Sequence, residues 1–281
     1  MKHQMPLPQL LTGLSEIAHD YDALVCDVWG VLHNGSVAMP DACAALKRFR
    51  ETQGRVVLLS NAPRPKRDVE AMFARLGVAL DCYDEIVTSG IATRADLERR
   101  RPRRMFHLGP ERDRGIFEGL DIELTGIADA EIVLNSGLFD DDVETPEDYR
   151  DRLAQMKARG LLMLCANPDW VVQRGGRLIH CAGALADAYE KLGGAVVYYG
   201  KPMPAIYDFV RAAAPRARRM LAIGDGLHTD IKGANAVGLD ALFIADGIHG
   251  EEVAEMTQGY MAALFAKAGV TARAAMRSLL W

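Results

Sequence analysis

Four short apolar runs in this 281-residue chain each stop at residues that do chemistry. ALVC at 23–26 ends at Asp27, VVLL at 56–59 at Ser60 and Asn61, AVVYY at 195–199 at Gly200 and Lys201, and MLAI at 220–223 at Gly224 and Asp225. A carboxylate that follows a strand and precedes a glycine turn, as Asp27 precedes Gly30, is presented with little backbone crowding and can attack phosphorus to give an aspartyl-phosphate. Charge opposes that attack. At about 4 Å and an effective dielectric near 20, a carboxylate and one phosphate charge repel by roughly 4 kcal/mol. Cations are needed, and Lys201 supplies one. A magnesium ion suits the rest, with Asp225 and Asp230 of GDGLHTD (224–230) as its acidic partners. The Ser60 side chain and the Asn61 backbone amide can hydrogen-bond phosphoryl oxygens where charge develops.

The runs read as buried parallel strands and the segments between them as crossover helices. Ala42, Ala45, Leu46 and Phe49 recur at helical spacing and Gly54 closes that segment; Val69, Met72, Phe73 and Leu76 repeat the pattern before Gly77. Alternating strands and helices predict a doubly wound parallel α/β sheet. Ligands bind beyond the carboxyl ends of such strands, which puts Asp27, Ser60, Lys201 and Asp225 on one edge. Between Asn61 and Lys201 lies more chain than one crossover needs. MFHL at 105–108, EIVL at 131–134 and LLMLCA at 161–166 are strands of its own, and Tyr149, Leu153 and Met156 mark a helix. The expectation is an inserted α/β domain over 103–196, with 1–102 and 197–281 forming a discontinuous core.

DVWGV, LLSNAP, GKP and GDGLHTD, in that order, resemble the four motifs of the haloacid dehalogenase (HAD) superfamily, a Rossmann-like fold. The long insertion resembles the α/β cap of subclass IIA, the NagD-like phosphatases, through Cys165-Ala166-Asn167-Pro168-Asp169 and GGRLIHCAGALADAYEKLGG at 175–194. The likeness spans about residues 20–247; the tail to Trp281 reads as helical and has no counterpart in it. The resemblance implies hydrolysis of a small phosphorylated metabolite with Mg2+. It makes Asp27 nucleophile and metal ligand, the Trp29 carbonyl a second ligand, Asp225 a third, and Asp230 a support for the metal's water and for Lys201. Ser60, Asn61 and Lys201 would hold the phosphoryl group, and Asn167 and Asp169 would face substrate. The family's motif is DxDG, whose second aspartate protonates the leaving group and then activates water. Trp29 stands there and can do neither. A catalytically weakened phosphate-ligand-binding or phosphotransfer protein is therefore the alternative reading.

The remaining composition is unremarkable for an enzyme of small molecules. A formal net charge of −5 draws the protein to neither nucleic acid nor anionic lipid, and no apolar run reaches about 18 residues. Five cysteines with no CxxC pair predict reduced thiols, and with no apolar segment of signal-peptide length at the start the expectation is a cytoplasmic protein. Oligomeric state has no signal in the sequence. The basic run ERRRPRR (98–104) reads as a helix end favoured by the dipole, and Asp140–Asp142 as a solvated loop. His33 and His228 stand near enough to the motifs to be weighed as substitute acids or bases.

Overall fold

The computed structural model describes residues 7–174, 177–247, 253 and 255–281, so the Gly175 and Gly176 that open the GGRLIHC segment lie outside the described residues. The chain divides into two compact units. One contains the residues up to Ser60, Glu70–Val87 and those from Lys201 onward; the other contains Asn61–Val69 and Thr88–Gly200.

The strands in chain order are β1 (Gln9–Leu10), β2 (Ala23–Cys26), β3 (Arg55–Ser60) and β4 (Glu85–Thr88), then β5 (Arg104–Leu108), β6 (Glu123–Leu124), β7 (Ile132–Asn135), β8 (Leu162–Cys165), β9 (Val171–Arg174), β10 (Arg177–His180) and β11 (Ala195–Tyr198). The last three are β12 (Met220–Gly224), β13 (Asp240–Ile244) and β14 (Ala274–Met276). Helices α1 (Ser15–Ala18), α2 (Pro40–Thr52), α3 (Lys66–Leu76), α4 (Ser89–Arg100), α5 (Arg150–Ala158), α6 (Ala182–Lys191), α7 (Ile206–Ala213), α8 (Lys232–Ala236) and α9 (Gln258–Ala268) connect them.

In the first unit the sheet order is β1-β14-β13-β12-β2-β3-β4. β2 lies parallel to both β3 and β12, and β12 to β13. β2 and β12 are buried at every position, as their unbroken apolar runs require when helices cover both faces. From β2 the chain winds outward to β3 and β4, then returns on the other side through β12, β13 and β14. The reversal puts a topological switch point at β2, where the carboxyl ends of its neighbours open a crevice. α2 begins with Pro40 and buries Ala42, Cys43, Ala45, Leu46 and Phe49, the predicted stripe. The doubly wound α/β fold is thus present, with parallel sheets and flanking helices.

The second unit holds a parallel sheet of order β11-β8-β7-β5-β6 and a β9–β10 antiparallel hairpin. Its core packs Val133, Met163 and Leu108 against Tyr149, Leu153, Met156, Leu185 and Tyr189.

Two expectations are corrected. The AVVYY run is no strand of the first sheet: β11 pairs with β8 in the second, and its positions are exposed or only partly buried. An apolar run shows that a strand forms, not which sheet receives it. The tail is only partly helical. α9 is followed by β14, which inserts between β1 and β13. Ala274 and Ala275, good helix formers, are fully buried strand residues here because pairing outweighs propensity. Among the described residues no helix is long and apolar enough to cross a membrane.

Candidate active site

Asp27 follows β2 directly and keeps the strand's pairing, its N–H donating to Ile223 O at 2.8 Å. Asp225 follows β12, so both carboxylates leave neighbouring strands at the switch point. Asp230 reaches the same place by a different route. After Gly226 the chain makes a π-helical turn over Leu227–Ile231, with Asp230 N–H donating to Gly226 O at 2.9 Å. Its carboxylate folds back and accepts from Gly226 N–H at 3.0 Å. A Cβ on Gly224 would lie 2.2 Å from Asp230 Cγ, so the spacing GDGxxxD has a steric cause.

Lys201 Nζ donates to Asp27 Oδ1 at 2.5 Å and to Asp230 Oδ1 at 2.6 Å, and all three side chains are buried. Burial alone would lower the ammonium's pKa, but Asp230 and Asp27 outweigh it and hold Lys201 charged. Burial first, then Asp230 and Asp225, push Asp27 well above the carboxylate range despite Lys201. Ligand oxygens of Asp27, Asp225 and Asp230 lie within 4.8 Å of one another. Three carboxylates share the Lys201 ammonium in a buried place. An oxygen-rich cluster of that charge fits a hard divalent cation and would bring Asp27 back to its ionised form.

Two glycines confine Asp225. A Cβ on Gly30 (φ +89°) or on Gly247 would stand 2.0 Å from Asp225 Oδ2. Gly30 was legible in the sequence. Gly247, in the loop after β13, was missed, and its only signal is the Asp246-Gly247 pair that ends the FIA run. Tyr207 on α7 was missed too: it is buried and electrostatically coupled to Asp230, Lys201 and Asp27.

Trp29 does not stand open beside Asp27. Its indole meets His33 edge-on, with ring centroids 5.0 Å apart at 72°, and a Cβ on Gly35 would lie 2.5 Å from indole Cζ2. His33 is 0% exposed. Its Nδ1 accepts from Gly35 N–H at 3.0 Å, so the neutral ring carries its proton on Nε2, which finds no partner. Burial lowers its pKa to about 4. His33 is therefore a packed, neutral ring and no substitute acid or base. His228 is exposed on the π turn.

Similarity to known proteins follows the same residues. The model of haloacid dehalogenase-like hydrolases matches residues 24–123, and that of HAD-hydrolase-like proteins residues 198–268. A haloacid dehalogenase-like hydrolase of Brucella suis 1330, solved by crystallography, is 46% identical at a TM-score of 0.81, over 85% of this chain and 94% of that one. The chain belongs to the haloacid dehalogenase-like hydrolases. It is 27% identical to the ribonucleotide monophosphatase NagD of Escherichia coli (strain K12), over 80% of this chain and 88% of that protein. The glycerol phosphate phosphatase of Mycobacterium tuberculosis, crystallised with magnesium, shares 25% identity at a TM-score of 0.65, over 83% of this chain and 70% of that one. These relatives support subclass IIA, and the protein is a hydrolase.

The other HAD positions fall as follows. Ser60 ends β3, next to β2, and is buried. Asn61 begins the second unit, where its Nδ2 donates to Asp169 Oδ1 at 2.8 Å. Asp169 N–H donates to Asn167 Oδ1 at 3.0 Å, so Asn61, Asn167 and Asp169 form one linked group. Gly200 (φ +102°) packs on Asn61, and a Cβ there would lie 2.5 Å from Asn61 Oδ1. Lys201 therefore follows a turn that only glycine tolerates, rather than a strand end. Cys181 is buried and its sulfur donates to Ile179 O at 3.8 Å. Arg99 and Arg100 pair with Asp96, and Asp141 with Arg112 and Arg174, which accounts for the basic run and the acidic triplet as ion-paired surface.

Proposed function

We propose that this HAD hydrolase is a magnesium-dependent phosphatase of small phosphorylated metabolites that works through an aspartyl-phosphate on Asp27. The buried cluster of Asp27, Lys201, Asp225 and Asp230 at the switch point carries this reading. Asp27, Asp225, Asp230 and the Trp29 carbonyl would hold Mg2+, which supplies charge neutralisation for an anionic substrate. The Asp27 carboxylate attacks phosphorus, the ester P–O bond breaks, and the leaving oxygen departs with the electron pair. Lys201, Ser60 and the Asn61 amide hold the phosphoryl oxygens. Water then attacks the aspartyl-phosphate, releasing phosphate and restoring Asp27. Residues 103–196 are the family's cap, whose Asn167 and Asp169 face the substrate. The relatives' named substrates, ribonucleotide monophosphates and glycerol phosphate, support small organic phosphates as the class.

A second reading rests on Trp29 and on the burial of His33. Neither can protonate a leaving group or activate water, so the phosphoenzyme would persist and pass its phosphoryl group to another acceptor, or the site would serve mainly to bind phosphate ligands. The deciding experiment is a screen of phosphometabolites with Mg2+, run with Asp27→Asn in parallel. Phosphate release from a narrow set of esters, abolished in the variant, is expected. Equal release by the variant would remove Asp27 from the chemistry.

A further inference from the structure

Outside the active site, the first unit holds an arrangement that the phosphatase reading does not use. On α2, Cys43, Lys47 and Arg50 fall at i, i+4 and i+7 and so share one face. That face meets the 3-10 turn Leu80–Cys82 and the residues after it. Lys47 Nζ donates to Asp81 Oδ2 at 2.5 Å, Arg50 Nε to Asp84 Oδ1 at 2.7 Å, and Arg50 Nη1 to Asp81 O at 3.1 Å. These bonds flank Cys82 on both sides and hold it against α2. The Cys43 and Cys82 thiols lie close enough there to interact with each other directly. Both are free, Cys82 is fully buried and Cys43 is 5% exposed.

We propose that Cys43 and Cys82 are a paired modification site that hydrogen peroxide converts to a disulfide. Cys43 is the sulfur that reacts first. It is the more exposed of the two, and the neighbouring Cys82 thiol lowers its pKa, whereas burial pushes the thiols of Cys26, Cys165 and Cys181 upward and keeps them inert. The Cys43 thiolate attacks peroxide, forming a sulfenic acid and releasing hydroxide. Cys82 sulfur then displaces the sulfenic oxygen, giving the S–S bond and water. Two thiols and one peroxide become one disulfide and two waters. The ion pairs on either side favour the second step, because they keep the resolving thiol adjacent while the first is oxidised.

The test is thiol counting and mapping on the full chain. The native protein is treated with hydrogen peroxide, denatured in excess alkylating reagent, and digested without reduction. Alkylatable cysteines are expected to fall from five to three, with a peptide joining Cys43 to Cys82 that dithiothreitol reverses. Cys43→Ser and, separately, Cys82→Ala, each checked for native circular dichroism, are expected to keep all four remaining cysteines alkylatable under the same treatment. Five alkylatable thiols after exposure would overturn the proposal. A bond from Cys26 to either residue would do so too, and so would sulfinic acid at Cys43 beside an intact Cys82.

Discussion

At Asp27, the proposed nucleophile, charge depends on the neighbours. Burial and two further carboxylates favour its neutral form, and Lys201 at 2.5 Å opposes them. Trp29 adds a second problem, since nothing at that position gives or takes a proton. General acid–base help typically contributes roughly 10²- to 10⁴-fold, or about 3 to 5.5 kcal/mol of barrier. Leaving groups that depart unprotonated should therefore outrun alkoxides, so aryl and acyl phosphates should react much faster than sugar phosphates. Slow attack of water on the aspartyl-phosphate should give a burst of product before a slower steady state. Trp29→Asp is expected to reduce the burst and speed alkyl substrates. Loss of the indole from its seat on Gly35 and His33 leaves a cavity, so folding of the variant must be verified first. Similar fast rates on aryl and alkyl phosphates, without a burst, would show that the wild type already has an acid and base that the cluster does not reveal.

The loop between β2 and α2 shows what an element adds to its residues. Its His33 lies between Trp29 and Phe73, edge-on to both rings, with no partner at Nε2. Its folded pKa of about 4 lies below the ordinary 6.5, so between those values the unfolded chain binds more protons than the folded one. Stability is full above about pH 6.5 and is lost as pH falls toward 4, by about 3 kcal/mol for this group. His107, lowered to about 4 mainly by burial in the second unit, acts in the same direction. Urea unfolding of wild type and His33→Phe at pH 7 and pH 4.5 checks this. The variant is expected to lose less stability on acidification, and equal losses would mean that His33 does not titrate differently on folding. Legibility at this scale was uneven. β2, β3, β12 and the buried stripe of α2 could be read because burial on both sheet faces or one helix face leaves an unambiguous period. β11 and β14 could not be assigned, since sheet membership depends on long-range pairing that a four-residue run does not encode. That Asp27, Lys201, Asp225 and Asp230 come together was legible, because carboxylates left at neighbouring strand ends need a cation beside them. Gly247 was not, because what it spares is room, and room shows only when Asp225 is seen beside it.

For the molecule as a whole, the proposed metal site predicts a stability that depends on magnesium. The buried carboxylates of Asp27, Asp225 and Asp230 stand together in the first unit, with Lys201 bonded to two of them. A divalent ion that binds only the folded cluster stabilises it by RT ln(1 + [L]/Kd), about 2.7 kcal/mol at a hundredfold excess over Kd. For a chain of this size that corresponds to roughly 5 to 10 °C in the unfolding midpoint. Calorimetry with Mg2+ and with a chelator is expected to show this rise, and hydrogen exchange should place the added protection on β2 and β12 rather than on β7 and β8. Asp225→Asn tests the origin of the effect without reference to turnover. Removing one buried negative charge relieves repulsion, so the metal-free variant should be no less stable than wild type. It also removes one anionic ligand, so Mg2+ should no longer raise the midpoint. If magnesium raises both proteins equally, the ion binds elsewhere. If it raises neither while the variant unfolds earlier than wild type, the three carboxylates are held together by protons and Lys201, and Asp27 is not the ionised nucleophile assigned to it.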